Sequence, residues 1–139
     1  MKYPKEWKLD HSGDMGTEFI LFNPSSSSDS FKENINLLIQ PLGEKIRTLD
    51  EFVEVSEMQV ATNLFDGEIH YSSRGKLNGM VCHSMAYEGQ VGLNSLRFEQ
   101  FYISVGDAIY ILTMTCLVDN YDRFYAVTNE IMASFKVKY

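Results

Sequence analysis

The sequence has few of the residues that stabilise small secreted modules. Its two cysteines, Cys82 and Cys116, are too few for a disulfide framework. Both lie in apolar, strand-like runs, which favours buried free thiols; the alternative is one disulfide between neighbouring strands. Basic residues are also scarce: 12 Lys and Arg against 19 Asp and Glu give a net charge of −7, and no two basic residues are adjacent. Such a chain repels phosphates, which argues against nucleic-acid binding.

Long apolar runs are missing too. The longest, Ala108–Met114, contains Tyr110 and Thr113 and is far below the roughly 20 residues of a membrane-spanning helix. The opening MKYPKEW has no basic segment followed by an apolar core, so it does not resemble a signal peptide. We therefore expect no integral membrane segment and a cytoplasmic protein as written, or a periplasmic or lipoprotein-anchored one if the N-terminus is trimmed.

Motifs for nucleotide binding and nucleophilic catalysis are absent from the sequence. There is no G-x-S-x-G elbow, and Gly89–Gly92 is a lone G-x-x-G without a following Lys-Ser or Lys-Thr. None of the three histidines, His11, His70 and His83, has another ligand at the spacing of a helix-borne metal site. The sequence predicts that the protein is not an enzyme, with no catalytic residues, no metal and no cofactor.

His70 and His83 are the residues that could still form a site. They fall on two predicted strands that pair as a hairpin, so they could lie near one another. Cys82 alternates with His83 and faces the other way. We interpret both histidines as partly buried or surface residues. The alternatives are a metal site, or a ligand pocket or unrecognised active site that combines one of them with Asp or Glu.

The chain has enough hydrophobic residues to form a core. Hydrophobic residues make up 45% of its 139 residues, including nine Phe and eight Tyr. The run Ser25–Ser28 raises three alternatives: a linker between domains, an anion-binding loop or a simple connection. The strands on both sides need each other to form one core, and a strand rather than a helix N-terminus follows the serines. We therefore predict a solvated connection within one domain, residues 1–139.

Periodicity predicts the order β-β-β-α-β-β-β-β-α. Thr48 and Glu51 match a capping box, and Asp119 is a plausible N-cap of the last helix. Turns are predicted at Asp10–Gly16, Asp66-Gly67, Asn78-Gly79, Gly89–Gly92 and Gly106-Asp107. The predicted strands are Glu6–Leu9, Thr17–Phe22, Asn34–Gln40, Glu68–Gly75, Met80–Glu88, Leu96–Val105 and Ala108–Leu117, and the predicted helices cover 48–63 and 119–134.

Two patterns in the last strands constrain the architecture. Along Leu96–Val105 the apolar residues move from even positions (Leu96, Phe98) to odd positions (Phe101, Ile103, Val105). Because alternate residues face opposite sides of a sheet, this predicts a one-residue bulge near Glu99-Gln100. The strand Ala108–Leu117 is apolar on both sides and needs cover on both faces. We predict an α+β fold, a three-layer α/β/α sandwich of one antiparallel sheet with helices on both faces.

Four stretches, in order along the chain, resemble the PsbP-like domain family. Tyr3–Trp7 is similar to its opening YP-x-x-W, and Asp29–Leu42 to its D-x-F-x-x-N-[IV]-N-[VL] strand. Thr48–Phe52 resembles the helix start S/T-L-E-E-[FY]. The close of the chain, from Ala108–Tyr110 to Ala133–Val137, resembles A-Y-x-[LI]-T…I-x-x-S-F.

This resemblance implies a fold shared by PsbP proteins, Mog-type Ran-binding proteins, and bacterial DcrB-like lipoproteins and secretion-effector chaperones. Most of these bind, stabilise or escort other proteins. We therefore expect a non-enzymatic protein-binding or accessory module of bacterial origin, with an unidentified protein partner. The alternative within the family is a DcrB-like secretion-effector chaperone, which predicts a concave apolar face. Neither a photosystem-docking extension nor an acidic Ran-binding motif is visible in the sequence.

Overall fold

A computed structural model describes residues 1–13, 16–23 and 33–137. Within these residues the chain forms seven strands and two helices. A 3₁₀ turn at Val118–Asn120 leads into the last helix. The elements are β1 (Lys8–Asp10), β2 (Phe19–Phe22), β3 (Asn34–Pro41), α1 (Leu49–Asn63), β4 (Phe65–Leu77), β5 (Met80–Val91), β6 (Asn94–Val105), β7 (Ala108–Leu117) and α2 (Tyr121–Ala133).

All the strands join one antiparallel sheet in the order β1-β2-β3-β7-β6-β5-β4. Strands β4 to β7 form successive hairpins, and α1 connects the β3 side of the sheet to the β4 edge. The predicted turn Asn78-Gly79 is confirmed: both residues have positive φ, 49° and 84°, as a type I′ turn requires. The predicted Gly106-Asp107 hairpin is confirmed as well, with Val105 paired to Ala108.

Alternate side chains of β7 enter two separate hydrophobic clusters, as the doubly apolar pattern of this strand predicts. Leu112, Met114 and Cys116 pack in one cluster, and Ile109 and Ile111 in the other. Residues of α2 contribute to the first cluster and residues of α1 to the second. The helix residues of these clusters are Ile131 and Met132 in α2, and Leu49, Val53 and Val60 in α1.

Two predicted turns are wrong because α1 packs closely on the start of the β4–β5 hairpin. Asp66-Gly67 lies inside β4 at a bulge, where Asp66 has φ 54° and the register shifts between Phe65 and Glu68. A Cβ on Gly67 would lie 2.4 Å from the Val60 carbonyl oxygen. Gly89 also belongs to a strand, since β5 continues to Val91 and the turn follows at Gly92-Leu93.

The predicted bulge at Glu99-Gln100 is wrong. Glu99 pairs with Ala86 and Gln100 with Met85, and the register of β6 is continuous with both neighbouring strands. The parity change has another cause. Arg97 and Glu99 are buried polar residues, each 8% exposed, and they take the place of apolar residues at the start of the stripe that Phe101, Ile103 and Val105 continue. A sequence pattern does not distinguish such a replacement from a bulge.

The helix starts differ from prediction in detail. The Thr48 side chain accepts a hydrogen bond from the Glu51 amide at 3.1 Å, as predicted. The Glu51 carboxylate accepts from the Arg47 amide instead of closing the box on Thr48. Asp119 is not the N-cap of α2, because it lies within the 3₁₀ turn and the helix begins at Tyr121.

The first three strands differ from prediction mainly at their ends. β1 begins two residues later than predicted, and β2 begins at Phe19. β3 continues to Pro41, which pairs with Ala108. The predicted Ser25–Ser28 connection lies outside the described residues. Its flanks are joined, since the Asn23 amide donates to the Glu33 carbonyl at 3.0 Å.

Candidate functional site

His83 lies at the centre of a polar cluster formed by β4, β5 and the first turn of α1. Its Nε2 is 2.6 Å from the Ser72 hydroxyl oxygen. The Arg74 Nε–H donates to His83 Nδ1 at 3.2 Å, and the same guanidinium pairs with the Asp50 carboxylate. Register explains the grouping, because Arg74 pairs directly with His83 across the β4–β5 ladder. This is the arrangement that most resembles a catalytic Ser-His pair.

The hydrogen bond between Ser72 and His83 runs in the opposite direction to that of a catalytic Ser-His pair. Because Nδ1 accepts from the Arg74 cation, it has no proton, and the neutral imidazole must carry its proton on Nε2. His83 therefore donates to Ser72. A nucleophilic serine needs the reverse, a histidine nitrogen that accepts its proton and a carboxylate that holds the other nitrogen. Asp50 binds Arg74 rather than His83, so the cluster is not a triad.

The electrostatics of the cluster keep His83 neutral. Burial and the Arg74 charge lower the pKa of His83 below its usual 6.5, against smaller opposing effects of Glu57 and Asp50. A neutral imidazole donates to Ser72 and accepts from Arg74 at the same time. The cluster is therefore best explained as a set of polar contacts that holds α1 against the β4–β5 hairpin.

His70 is not brought near His83. It lies at a second irregularity of β4, between Ile69 and Tyr71, and its Nε2 is 3.4 Å from a Glu88 carboxylate oxygen. Within the described ranges no three His, Cys, Asp or Glu side chains gather in a way that could hold a metal ion. The metal alternative for this histidine pair thus finds no support in the geometry.

The two cysteines are buried free thiols. Cys82 is on β5 and Cys116 on β7, with β6 between them, so they are not on neighbouring strands and the disulfide alternative is wrong. Burial raises the pKa of both thiols, that of Cys116 to about 12. Because the thiolate is the reactive form, neither is a nucleophile at neutral pH.

A second polar network is buried beside α2. The Arg97 guanidinium donates to Glu88 at 3.1 Å and to Glu99 at 3.4 Å, and it lies 4.4 Å from the centre of the Tyr121 ring. The Glu99 carboxylate accepts hydrogen bonds of 2.9 Å from the hydroxyls of Tyr71 and Tyr121. One carboxylate thus joins β4, β6 and α2.

This network is stable in its charged form. Burial opposes the charge of Arg97, but the hydrogen bond to Glu88 and the charge of Glu99 outweigh it and raise the pKa of the guanidinium. Burial and Glu99 raise the pKa of Tyr71 and Tyr121 above the usual 10. Both phenols are therefore neutral donors, and the network has a structural role, since breaking a buried ion pair is strongly destabilising.

A cavity of about 360 Å³ lies between α1 and the sheet. Side chains of the sheet line one side of the cavity, and side chains of α1 line the other. Its polar lining contains hydroxyls and amides, and its apolar lining contains aromatic rings and aliphatic side chains. The lining residues are Leu38, Phe52, Ser56, Gln59, Val60, Asn63, Leu64, Tyr87, Phe98, Gln100, Tyr102, Ile111 and Thr113.

An exposed apolar patch lies at one end of the β4–β5–β6 meander. We define it by Phe65, Val91 and Leu93, which are 68%, 48% and 105% exposed. Phe65 pairs with Gln90 and shares its face of the sheet, whereas Val91 points to the other face and Leu93 occupies the following turn. The three residues therefore lie at the same end of the sheet, around its edge. Leu93 also lines a cavity of about 390 Å³ with the apolar residues Leu117 and Val118 and the polar residues Asn94, Ser95 and Asp119.

No family model and no curated protein matches the chain. Solved structures do match over nearly its whole length. PA94 from Pseudomonas aeruginosa, a protein of unknown function described as a candidate regulator, has a TM-score of 0.74 at 13% identity, covering 100% of this chain and 91% of that one. Cyanobacterial PsbP (CyanoP) from Synechocystis sp. PCC 6803 has a TM-score of 0.71 at 16% identity, covering 98% of this chain and 84% of that one.

The fold is PsbP-like. LpqN, involved in cell envelope biogenesis of Mycobacterium tuberculosis, is also similar to this chain, with a TM-score of 0.70 at 12% identity over 93% of this chain and 76% of that one. The resemblance seen in the sequence is thereby confirmed at the level of fold. Among the described residues no helix is both long and apolar enough to cross a membrane.

Sequence reasoning selected His83 but missed its neighbours. Ser72 and Arg74 are polar residues on a strand with little apolar alternation, and only the β4–β5 register brings them to His83. The cavity beneath α1 was also missed, because its lining comes from five separate elements. The fully exposed Leu93 had a signal: it follows Gly92 directly in a turn, where polar residues are usual.

Proposed function

We propose that this protein is a non-enzymatic, protein-binding accessory module with the PsbP-like fold. The observation that carries the proposal is the apolar patch of Phe65, Val91 and Leu93. Exposed apolar residues grouped at one end of a sheet point to an interaction site, whereas singly scattered ones are normal. The orientation of the Ser72–His83 pair supports a binding role over hydrolysis at that cluster.

The surroundings of the patch favour a partner with an apolar side chain and a basic rim. Leu93 borders the cavity of about 390 Å³, whose apolar side (Leu117, Val118) would contact an apolar anchor residue of a partner while Asp119 faces a basic group. Asp66, Glu68 and Asp119 lie beside the patch or that cavity in the chain, and the net charge is −7. An acidic rim steers basic partners and orients them on docking.

The proposed architecture is a single domain, residues 1–139, built as a three-layer α/β/α sandwich. Its support is the alternation along β7, where Ile111 packs with the α1 residues and Leu112 with the α2 residues. Successive side chains of a strand point to opposite faces. The two helices therefore belong on opposite faces of the sheet.

The module is of the kind found in bacteria: PA94, CyanoP and LpqN all come from bacterial species. Kinship with Mog-type and DcrB-like proteins rests on the sequence resemblance. The chaperone alternative requires a concave apolar face for a client helix. Leu93 instead protrudes at a hairpin turn, which favours a compact docking contact.

The test is site-specific photo-crosslinking in native extract. A benzoylphenylalanine at position 93 is expected to capture one specific protein, and the same group at position 81 is not. Val81 is an apolar residue with 45% exposure, close to the 48% of Val91, but it lies at the opposite end of β5. The double variant Phe65→Ser, Leu93→Ser should then lose binding of the purified partner, while Val81→Ser keeps it. Identical capture from both positions would overturn the proposal.

A further inference from the structure

The cavity between α1 and the sheet is a cleft that is open to solvent beside the exposed residues Gln59 and Asn63. A volume of about 360 Å³ falls within the range of small-molecule sites. It is bounded by Val60 of α1 and Leu64, the residue after α1, on one side and by Phe98, Ile111 and Leu38 of the sheet on the other.

The aromatic part of the wall is held in a fixed geometry. Tyr87 and Phe98, which pair across β5 and β6, stack with ring centroids 4.7 Å apart and an interplanar angle of 19°. Phe52 of α1 meets Tyr102 edge to face, with centroids 5.4 Å apart and an angle of 77°. Rings fixed in this way offer a preformed apolar surface, so a ligand would not bear the cost of ordering them.

The polar part of the wall is a chain of neutral hydrogen-bonding groups. The Tyr102 hydroxyl donates to the Gln100 side-chain oxygen, and the Ser56 hydroxyl of α1 lies in the same lining. The Gln100 amide nitrogen donates to the Thr113 hydroxyl at 3.1 Å. That bond does not use the Thr113 O–H or the second Gln100 N–H. Donors and acceptors are therefore aligned along one side of an otherwise apolar space.

No charged side chain lines this cavity among the residues that the structure describes. Burial raises the pKa of Tyr87 to about 12 and raises that of Tyr102 above its usual value, so both phenols are neutral. A charged ligand would be desolvated here without a counter-ion. The walls thus select against ions and for uncharged molecules.

From this geometry we propose that the cavity beneath α1 binds an uncharged amphipathic small molecule, with an apolar ring system or chain and a hydroxyl- or amide-type polar group. The apolar part contacts Tyr87, Phe98 and the aliphatic wall. The polar group bonds to the Gln100–Thr113 end of the chain. The exposed residues Gln59 and Asn63 on α1 form the mouth through which it enters.

The binding test uses two matched fluorescent probes. N-phenyl-1-naphthylamine is uncharged, and 1-anilinonaphthalene-8-sulfonate is the same molecule with one sulfonate. Titrated with the folded protein, the neutral probe should show saturable fluorescence enhancement at one site per chain and bind at least about tenfold more tightly than the anion. Equal affinity for both probes, or no saturable binding of the neutral one, would overturn the proposal.

A pair of substitutions on adjacent exposed positions locates the site. Gln59→Trp should close the mouth and weaken the neutral probe at least about tenfold, while Met58→Trp, at a 64% exposed position that does not line the cavity, should leave it unchanged. Both variants add the same fluorophore, and both positions are exposed, so folding is preserved. Equal probe affinity in the two variants would place the binding elsewhere and refute the assignment.

The cavity and the apolar patch are tested independently. No residue lines both, so Gln59→Trp should not affect crosslinking from position 93. Phe65→Ser with Leu93→Ser should likewise leave the probe titration unchanged. Failure of one proposal is therefore distinguishable from failure of the other.

Discussion

The Ser72 hydroxyl lies 2.6 Å from His83 Nε2, and that nitrogen is the donor of the pair. Arg74 fixes this direction from the other side of the ring, because its Nε–H donates to Nδ1. The proximity of a serine to a histidine is thus compatible with a purely structural role. The tautomer, rather than the distance, distinguishes this cluster from a hydrolytic site.

His83 should titrate below 6.5. Burial and Arg74 lower its pKa in the folded state, so between the folded pKa and 6.5 the unfolded chain binds more protons. Stability from this group is therefore complete above about pH 6.5 and is lost as the pH falls through that value toward the folded pKa. An NMR titration of the imidazole signals measures the folded pKa directly.

Substitutions around the ring provide controls for that titration. Arg74→Met should raise the pKa of His83, since it removes a neighbouring cation, and Asp50→Asn should lower it further, since that carboxylate favours the charged ring. A folded pKa above 6.5 in the unmodified protein would contradict the assigned tautomer.

Glu99→Gln should destabilise the fold by about 3 kcal/mol, because it leaves the buried Arg97 with one carboxylate partner fewer. The matched control is Asp50→Asn, which breaks the ion pair with Arg74 at a side chain that is 82% exposed. We expect the control to cost under about 1 kcal/mol, as exposed pairs do. Urea unfolding at pH 7 gives both values, and similar losses for the two variants would disprove a structural role for the Glu99 network.

Cys82 and Cys116 should not react with Ellman's reagent at pH 8 in the folded protein, because both thiols are buried and have raised pKa values. Both should react in denaturant, which also verifies that they are reduced. Ser73→Cys, at an exposed position of β4, supplies the reactive control. Rapid labelling of either native cysteine would place it outside the core.

Most of the strands and both helices were predictable from local patterns. Positive-φ turns such as Asn78-Gly79 and the Thr48 cap are encoded within a few residues, and they occur as predicted. The predictions are wrong where an element distant in the sequence packs against a segment and overrides its local turn propensity. Gly67 and Gly89 read as turns, but they are strand residues that leave room for the packing of α1.

The candidate sites were less predictable for the same reason. The shift of the apolar residues around Glu99-Gln100 looked like the sign of a bulge, although Glu99 forms an ion pair with Arg97 that is buried beneath α2 residue Tyr121. Nothing local to β6 indicates that a tyrosine from the last helix covers them. The cavity under α1 likewise depends on the distance between the helix and the sheet. The hydrophobic periodicity of the sequence does not determine that distance.

The two-sided burial of β7 leads to the last prediction. Ile111→Asp and Leu112→Asp should each unfold the protein, because these neighbours are 9% and 0% exposed and enter different clusters. A carboxylate at either position would be buried without a cation, a cost comparable to the whole stability of a domain. Val81→Asp, at a 45% exposed strand position, should melt near the unmodified protein. Circular dichroism melting compares all three, and a cooperative, unchanged transition for either β7 variant would show that one face of the central strand is open to water.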